Sequence, residues 1–255
     1  MLILQAERDA LLKPLQAVTG IVERRHTLPI LSNVLLENVH GQTNILATDL
    51  EIQINTAGPE SDAGDFRITT NAKKLQDILR ALPDGSLVAL DWAQNRLTLK
   101  AGKSRFNLQT LPAEDFPLMS VGETVGQAFS LPQEALKNML SQVQYSMAVQ
   151  DIRYYLNGML MQTEGDQLRL VATDGHRLAY SGTTIDADLP KAEVILPRKT
   201  VLELFKLLNH PSEPVTVELL ENQERNHCNK TVIVSKEVDG KLPDFNRVIP
   251  LDNDK

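Results

Sequence analysis

The chain has 255 residues, of which 42% are hydrophobic and 23% are charged, and its formal net charge is −7. This length allows two domains that each bury a core, and the negative charge argues against gripping nucleic acid by bulk charge, although not against a local basic face. The single cysteine, Cys228, excludes an internal disulfide and is typical of a reducing compartment. Because no apolar run has the length of a membrane helix or signal peptide, we expect a cytoplasmic protein without a membrane partner.

The first half is predicted to contain a strand, a helix, a series of strands, a second helix and further strands. Over 9–20 the apolar residues Leu11, Leu15 and Val18 recur at i, i+4 and i+7, which places them on one helix face. The second helix is predicted over 72–82 and ends at Pro83-Asp84-Gly85. The predicted strands are 2–5, 31–38, 44–48, 51–56, 66–70, 87–91, 96–101 and 104–109.

The second half repeats this order. It is predicted to begin with a strand over 128–131 and a helix over 132–143, with Pro132 in the first helical turn. Strands then flank a turn near 174, a helix covers 198–208, and further strands cover 215–220 and 231–235. Mostly antiparallel strands with two helices in each half indicate an α+β fold.

The two halves are related by an internal repeat. Ala47-Thr48-Asp49 and Ala172-Thr173-Asp174 lie 125 residues apart, and the same offset aligns apolar positions before them in order. Solenoid repeats run roughly 20–50 residues, so a repeat of this length indicates a duplicated domain. The polar stretch over 117–127 separates the copies, and we predict domains over 1–122 and 123–250.

The stretch over 170–180 organises the second copy. Asp174-Gly175 is typical of a hairpin turn in which the aspartate bonds nearby backbone amides and the glycine adopts a positive φ. The first copy has Leu50-Glu51 where the second has Gly175-His176, which suggests that the second copy is specialised for binding. Tyr154 and Tyr155 are either half-buried strand residues, the favoured interpretation, or binding anchors.

No arrangement of residues composes an active site, and we predict no catalytic residue, no metal and no cofactor. Gly102-Lys103-Ser104 lacks the first glycine of a phosphate-binding loop and is predicted to be a hairpin turn. The rival hypothesis is a metal-dependent hydrolase or nuclease that uses Asp174 and His176 with a loop carrying Asp186 and Asp188. A third alternative is a small-ligand binding protein with a pocket enclosed in one domain.

Six motifs, three in each half, are specific enough to compare with known families: Thr27-Leu28-Pro29-Ile30-Leu31, Ala47-Thr48-Asp49-Leu50-Glu51, Gly102-Lys103-Ser104-Arg105-Phe106, Asp151-Ile152-Arg153-Tyr154-Tyr155-Leu156-Asn157-Gly158, Ala172-Thr173-Asp174-Gly175-His176-Arg177-Leu178 and Gly240-Lys241-Leu242-Pro243-Asp244-Phe245. On these motifs the chain resembles the bacterial β sliding clamp, the beta subunit of DNA polymerase III. The resemblance implies tandem clamp domains and a non-enzymatic processivity factor.

In that family three domains of one fold form a subunit, and two subunits close head to tail around duplex DNA. By this resemblance the chain holds the first two domains, residues 251–255 begin a missing third domain, and the closed homodimer ring is not expected of this chain. The helices would line the hole, and the positions implied to face DNA are Arg25, Gln150, Arg198 and Arg247.

The resemblance also implies a groove that binds peptide segments of the polymerase III alpha subunit, the clamp loader and other proteins with a clamp-binding motif. An apolar floor for leucine or phenylalanine anchors and a few orienting polar groups suit that task. The residues implied to form it are Arg153, Tyr155, Leu156, Thr173, Gly175, His176, Arg177, Leu178, Pro243 and Val248. Because the third domain would supply the rest of the groove, affinity in this chain should be reduced.

Overall fold

The computed structural model describes residues 1–23 and 27–249, and the chain divides into two compact units. The first unit comprises Met1–Val121 with Asn226–Val234, and the second comprises Gly122–Arg225 with the residues from Ser235 onward. The predicted order of elements is confirmed in both units except for one strand, Gln223–Cys228, that was not predicted, and most predicted boundaries agree with the structure to within a residue or two.

The first unit pairs two helices with an antiparallel sheet. The elements are β1 (Leu2–Glu7), α1 (Arg8–Thr19), β2 (Asn33–Val39), β3 (Gln42–Thr48), β4 (Ile52–Ala57), β5 (Phe66–Asn71), α2 (Ala72–Ala81), β6 (Leu87–Ala93), β7 (Arg96–Ala101) and β8 (Ser104–Leu111). The strands follow one another in the order β1-β6-β7-β8-β5-β2-β3-β4. A 3₁₀ turn over Pro29–Ser32 precedes β2.

The first helix of this unit buries the face that its apolar spacing predicts, and the second begins at a capped end. Leu11, Leu15 and Val18 of α1 are fully buried, as the i, i+4, i+7 pattern requires. The α2 helix begins after Asn71, whose side chain accepts a hydrogen bond from the Lys74 amide at 2.9 Å. The Gly102 turn is confirmed as a β7–β8 hairpin in which Ala101 pairs with Ser104.

The second unit contains a long two-stranded antiparallel ladder and a shorter one. The elements are β9 (Val125–Pro132), α3 (Gln133–Val143), β10 (Gly158–Thr173), β11 (Leu178–Pro197), α4 (Arg198–Leu207) and β12 (Pro214–Leu220). The long ladder pairs β10 with β11, from Gly158 opposite Pro197 to Thr173 opposite Leu178, and the shorter ladder pairs β9 with β12. Two further strands, β13 (Gln223–Cys228) and β14 (Thr231–Lys236), contain residues of both units.

Three sequence-based expectations are wrong in this unit. Pro132 ends β9 and precedes α3, so it lies one residue before the helical turn that was predicted to contain it. Tyr154 and Tyr155 lie in a 3₁₀ turn over Tyr154–Leu156 and not in a strand. Asp186 and Asp188 lie inside β11, because that strand continues for 20 residues through the segment predicted to be a loop.

Candidate functional site

The turn between β10 and β11 is held by its own side chains. Asp174 Oδ1 accepts hydrogen bonds from the backbone amides of His176 at 2.9 Å and Arg177 at 3.0 Å. The Thr173 hydroxyl donates to the Arg177 carbonyl at 2.7 Å and accepts from the Gly175 amide at 3.1 Å. Gly175 has a φ of +88°. The predicted roles of Asp174 and Gly175 in the turn are therefore confirmed.

The first unit contains the same turn 125 residues earlier. Asp49 Oδ1 accepts from the amides of Glu51 at 3.0 Å and Ile52 at 2.8 Å. The Thr48 hydroxyl donates to the Ile52 carbonyl at 2.9 Å and accepts from the Leu50 amide at 3.1 Å. Leu50 has a φ of +79° although it is not a glycine. The duplication seen in the sequence therefore extends to individual hydrogen bonds.

Arg153 lies across the turn of the second unit. Its Nε and Nη2 donate to the two carboxylate oxygens of Asp151 at 3.0 and 2.8 Å, and Nη2 also lies 3.4 Å from the Asp174 carbonyl. A Cβ placed on Gly175 would come within 3.0 Å of Arg153 Nη1. The guanidinium therefore occupies the space that any other side chain at position 175 would enter.

Arg177 is fixed on the other side of the same turn. Its Nε donates to Asp174 Oδ2 at 3.1 Å and its Nη2 donates to the Tyr145 carbonyl at 2.6 Å. The guanidinium also lies 5.2 Å from the centre of the exposed Tyr145 ring, a cation–π distance. His176 precedes Arg177 in the turn, and its side chain is exposed. Its backbone amide donates to Asp174, and within the described residues its side chain makes no hydrogen bond to the turn.

An apolar cluster lies under the turn. Leu156, one of the residues implied by the resemblance, is almost fully buried there, and Tyr155 and Leu178 pack against it as partly buried side chains. The other buried members of the cluster are Ala148, Leu160, Val171, Ile195, Leu242 and Phe245. The structure therefore brings Leu156, Tyr155 and Leu178 together on one apolar surface.

The segment over 241–246 borders this cluster. Leu242 and Phe245 are buried in it, while Pro243 is exposed and lines a cleft of about 510 Å³. The rest of the lining is mostly polar: Gln162, Lys191, Glu193, Lys241, Asp244 and Asn246, with Leu160, Ala192, Leu242 and Phe245. Val248 is 66% exposed and precedes Ile249, which packs against the cluster. Pro243 and Val248 thus lie on the chain segment that covers one side of the apolar floor.

The carboxylates of the site are kept ionised by their partners. The side-chain hydrogen bond from Arg153, followed by the Arg153 backbone amide, lowers the pKa of Asp151 to about 2. The amides of His176 and Arg177 lower the pKa of Asp174. A side-chain hydrogen bond from Asn246 lowers the pKa of Asp244, which also pairs with Arg247. An aspartate already bound to arginine and backbone donors is a poor candidate for a general base.

The positions implied to face DNA differ in their surroundings. Arg25 lies outside the described residues. Gln150 is exposed with a φ of +55°. Arg198 begins α4 and its Nη1 lies 3.5 Å from the Met147 carbonyl, so it contacts the segment that leads to Gln150. The Arg247 side chain is 83% exposed.

The structure gives the hydrolase hypothesis no support. Asp186 and Asp188 are exposed strand residues of β11, and Asp174 is engaged by the backbone of its own turn. Among residues 1–23 and 27–249, no three side chains of the histidine, cysteine, aspartate and glutamate types cluster in a way that would hold a metal ion. None of the helices in that part of the chain combines the length and apolarity needed to span a bilayer.

Sequence reasoning missed several residues of this site. Asp151 and Asn157 belong to a motif that carried the resemblance, but nothing in their spacing indicated that they hold Arg153. Tyr145 was missed because its contact with Arg177 joins positions 32 residues apart. Phe245 could have been found, because it aligns with Phe116 at the end of the first copy and both are buried.

The second unit thus combines an anchored polar turn with an apolar cluster of buried side chains. The family model described as the N-terminal domain of the DNA polymerase III beta subunit matches residues 2–120, and that of the central domain matches residues 130–244. The β sliding clamp of Salmonella typhimurium is 44% identical over 250 residues, which cover 98% of this chain and 68% of that protein. The clamp of Pseudomonas aeruginosa is 45% identical over 253 residues, with the same two shares.

Solved structures give the same result. The DNA polymerase III subunit beta of Pseudomonas aeruginosa superposes with a TM-score of 0.94 at 43% identity, over 99% of this chain and 69% of that one. The Caulobacter crescentus protein superposes with a TM-score of 0.92 at 37% identity, over 100% and 70%. The chain belongs to the DNA polymerase III beta subunit family, the bacterial β sliding clamps. It is a non-catalytic DNA polymerase processivity factor.

Proposed function

We propose that the second unit of this clamp binds partner proteins through a peptide groove at the β10–β11 turn. The partners are the polymerase III alpha subunit, the clamp loader and other proteins with a clamp-binding motif, and the clamp works in the cytoplasm around duplex DNA as a ring of two full-length subunits. In this proposal residues 1–122 and 123–250 are the first and central clamp domains.

The proposal rests on a difference between the two units of the chain, which are copies of one domain. Both units have a buried apolar cluster at matching positions, with Leu35 and Leu46 in one and Leu160 and Val171 in the other. Both also have the same aspartate-held turn. An apolar cluster alone is therefore an ordinary core, and the features that distinguish a binding site must lie at its edge.

The edge of the second cluster carries the groups that would orient a peptide. Arg153, Tyr155, His176 and Arg177 stand where the first copy has Leu28, Ile30, Glu51 and Ile52. In the first unit Ile52 is buried, whereas in the second unit Arg177 is exposed and fixed by Asp174 and Tyr145. Aromatic and arginine side chains that are already fixed bind at low entropic cost, which makes them effective anchors.

Calorimetry with a Gln-Leu-Ser-Leu-Phe peptide tests this proposal. We expect measurable binding to the wild type, and binding at least about tenfold weaker in the double variant His176→Ala/Leu178→Ala, because truncating interface anchors typically costs more than 1 kcal/mol each. The matched control is Glu51→Ala, which removes the side chain aligned with His176 in the first copy and should leave the affinity unchanged.

Two results would count against the proposal. Equal binding by the wild type and the double variant would place the site elsewhere on the chain. An absence of binding to the wild type at millimolar peptide would mean that the residues of this unit do not form a groove by themselves.

A further inference from the structure

The glycine at position 175 is favoured by its φ of +88° and also by a neighbouring side chain. The first copy of the turn has Leu50 at the aligned position with a φ of +79°, so the same hydrogen-bonded turn accepts a leucine. A Cβ on Gly175 would lie 3.0 Å from Arg153 Nη1 and 3.1 Å from Nη2. The first copy has Leu28 in place of Arg153. Arg153 and Gly175 thus occur together in the second copy, and the first copy has a leucine at both aligned positions.

Asp151 fixes the guanidinium in this space. Its carboxylate accepts from the Arg153 backbone amide at 2.8 Å as well as from Nε and Nη2, so the two residues close a compact ring of hydrogen bonds. Asp151 is itself held by Asn157, whose side chain accepts from the Asp151 amide and donates to the Asp151 carbonyl, both at 2.9 Å. Asn157 follows Leu156 in the chain, so this arrangement is tied to the apolar floor.

The arrangement leaves one end of the guanidinium available. Nε and Nη2 donate to Asp151, and Nη2 also approaches the Asp174 carbonyl. Within the described ranges, Nη1 has no hydrogen-bond acceptor and lies against Gly175 at the edge of the turn. An arginine side chain otherwise loses considerable rotamer freedom when it is ordered on binding. Here that freedom is already restricted in the unbound protein.

We propose that Asp151 is a positioning residue for partner binding, which holds Arg153 across Gly175 so that Nη1 donates to an oxygen of the bound peptide. This inference rests on the proposed peptide groove. The oxygen is either a backbone carbonyl or a terminal carboxylate, since both accept from a guanidinium. Asp151 need not touch the peptide, and its effect on affinity passes through Arg153.

A double-mutant cycle tests the inference. Calorimetry with Gln-Leu-Ser-Leu-Phe is carried out on the wild type, Asp151→Asn, Arg153→Ala and the double variant. We expect Asp151→Asn to bind about 5- to 10-fold more weakly, as for loss of a charge-assisted hydrogen bond. The double variant should bind no more weakly than Arg153→Ala alone, because Asp151 acts only through the arginine. Asp151→Glu, which retains the carboxylate, should recover part of the affinity.

Two further measurements separate positioning from general destabilisation. The Arg153 Nε–Hε NMR signal of the unbound protein should be sharp in the wild type, and it should shift and broaden in Asp151→Asn. Gly175→Ala should also weaken binding, by displacing the guanidinium and by straining a turn residue whose φ is +88°, whereas Leu50→Gly in the first copy should not. Peptides with a free or an amidated C-terminus, compared in Arg153→Ala, show which oxygen is bound.

Specific results would overturn the inference. If Arg153→Ala weakens binding and Asp151→Asn does not, Asp151 has no positioning role although the groove exists. If Asp151→Asn weakens binding further in the Arg153→Ala background, the aspartate acts by another route. If the wild type binds no peptide, the proposed function fails as well. An unchanged Arg153 Nε–Hε signal in Asp151→Asn would contradict the positioning role even in that case.

Discussion

Glu237 is a partly buried carboxyl group whose ionisation opposes folding. Its Oε1 atom is buried without a hydrogen-bond partner in the described chain. Burial, followed by repulsion from Asp239, raises the pKa of Glu237 to about 7. In the unfolded chain this group titrates near 4.5. Between these values the folded protein holds the proton more tightly than the unfolded chain, so the group's contribution to stability falls as the pH rises from about 4.5 to 7.

Replacing Glu237 by glutamine should remove this loss of folding stability at higher pH. We expect Glu237→Gln to be more stable than the wild type at pH 8, by on the order of 1 kcal/mol after allowance for solvent screening of a partly exposed group. The difference should shrink as the pH is lowered towards 4.5. Urea unfolding of both proteins at several pH values measures it.

Asp239→Asn is the control for the cause of this effect. It removes only the repulsion and should give a smaller gain than Glu237→Gln, since burial is the larger cause. A difference between Glu237→Gln and the wild type that does not change between pH 4.5 and 8 would contradict the assignment.

At the residue scale, local interactions could be predicted from the sequence and distant ones could not. Asp174 bonds amides two and three residues away, so its residue type and neighbours were sufficient to predict that role. The contact between Arg153 and Gly175 joins residues separated by a turn and a strand. This contact depends on the pairing of β10 with β11, and no pattern of neighbouring residues in the sequence predicts it.

At the element scale, the repeat supplies a matched pair of core positions. Leu160 in β10 and Leu35 in β2 are aligned at the 125-residue offset, and each is buried in the apolar cluster of its unit. Truncation of either leucine to alanine should lower the free energy of unfolding of its unit by roughly 2–5 kcal/mol, through lost burial and a residual cavity. Only the cluster of the second unit lies under the proposed groove.

We therefore expect the two truncations to differ in binding while they agree in stability. Leu160→Ala should weaken binding of the clamp-binding peptide, because Leu160 is part of the buried cluster that contains Leu156 and against which Leu178 packs. Leu35→Ala should leave the affinity unchanged. Unfolding is followed by hydrogen exchange, which reports on each unit separately, and binding is measured by calorimetry. Equal affinities in the two variants would show that the floor of the groove does not depend on this cluster.

The elements themselves show where sequence patterns are sufficient. The ends of the four predicted helices agree with the structure to within a residue. Apolar spacing marked α1, and the Pro83-Asp84-Gly85 stop signal marked the end of α2. The strand β11 was predicted poorly because Asp186, Asp188 and Pro190 are typical of loops, whereas pairing with β10 keeps the segment extended. Tertiary pairing overrode local propensity there.

At the scale of the whole molecule, a net charge of −7 is compatible with a clamp that slides on DNA. A protein that holds DNA topologically needs few direct phosphate contacts, and many such contacts would slow its movement. Affinity for duplex DNA should then be low and should depend on a few local side chains. Among the described residues, we propose that Gln150, Arg247 and Arg198, which is partly buried at the start of α4, have this role.

Arg198→Ala should weaken binding to a short DNA duplex at low ionic strength, as measured by fluorescence anisotropy. If the side chain neutralises one phosphate, the slope of log K against log salt concentration should become shallower by about 0.9. Gln150→Ala should weaken binding without changing that slope, because an uncharged amide releases no counterion. Arg96→Ala, an exposed arginine of β7 outside the proposed DNA-facing set, is the control and should behave as the wild type. A slope that stays the same in Arg198→Ala would mean that this arginine does not meet a phosphate, and a slope change in Arg96→Ala would show that β7 also faces DNA.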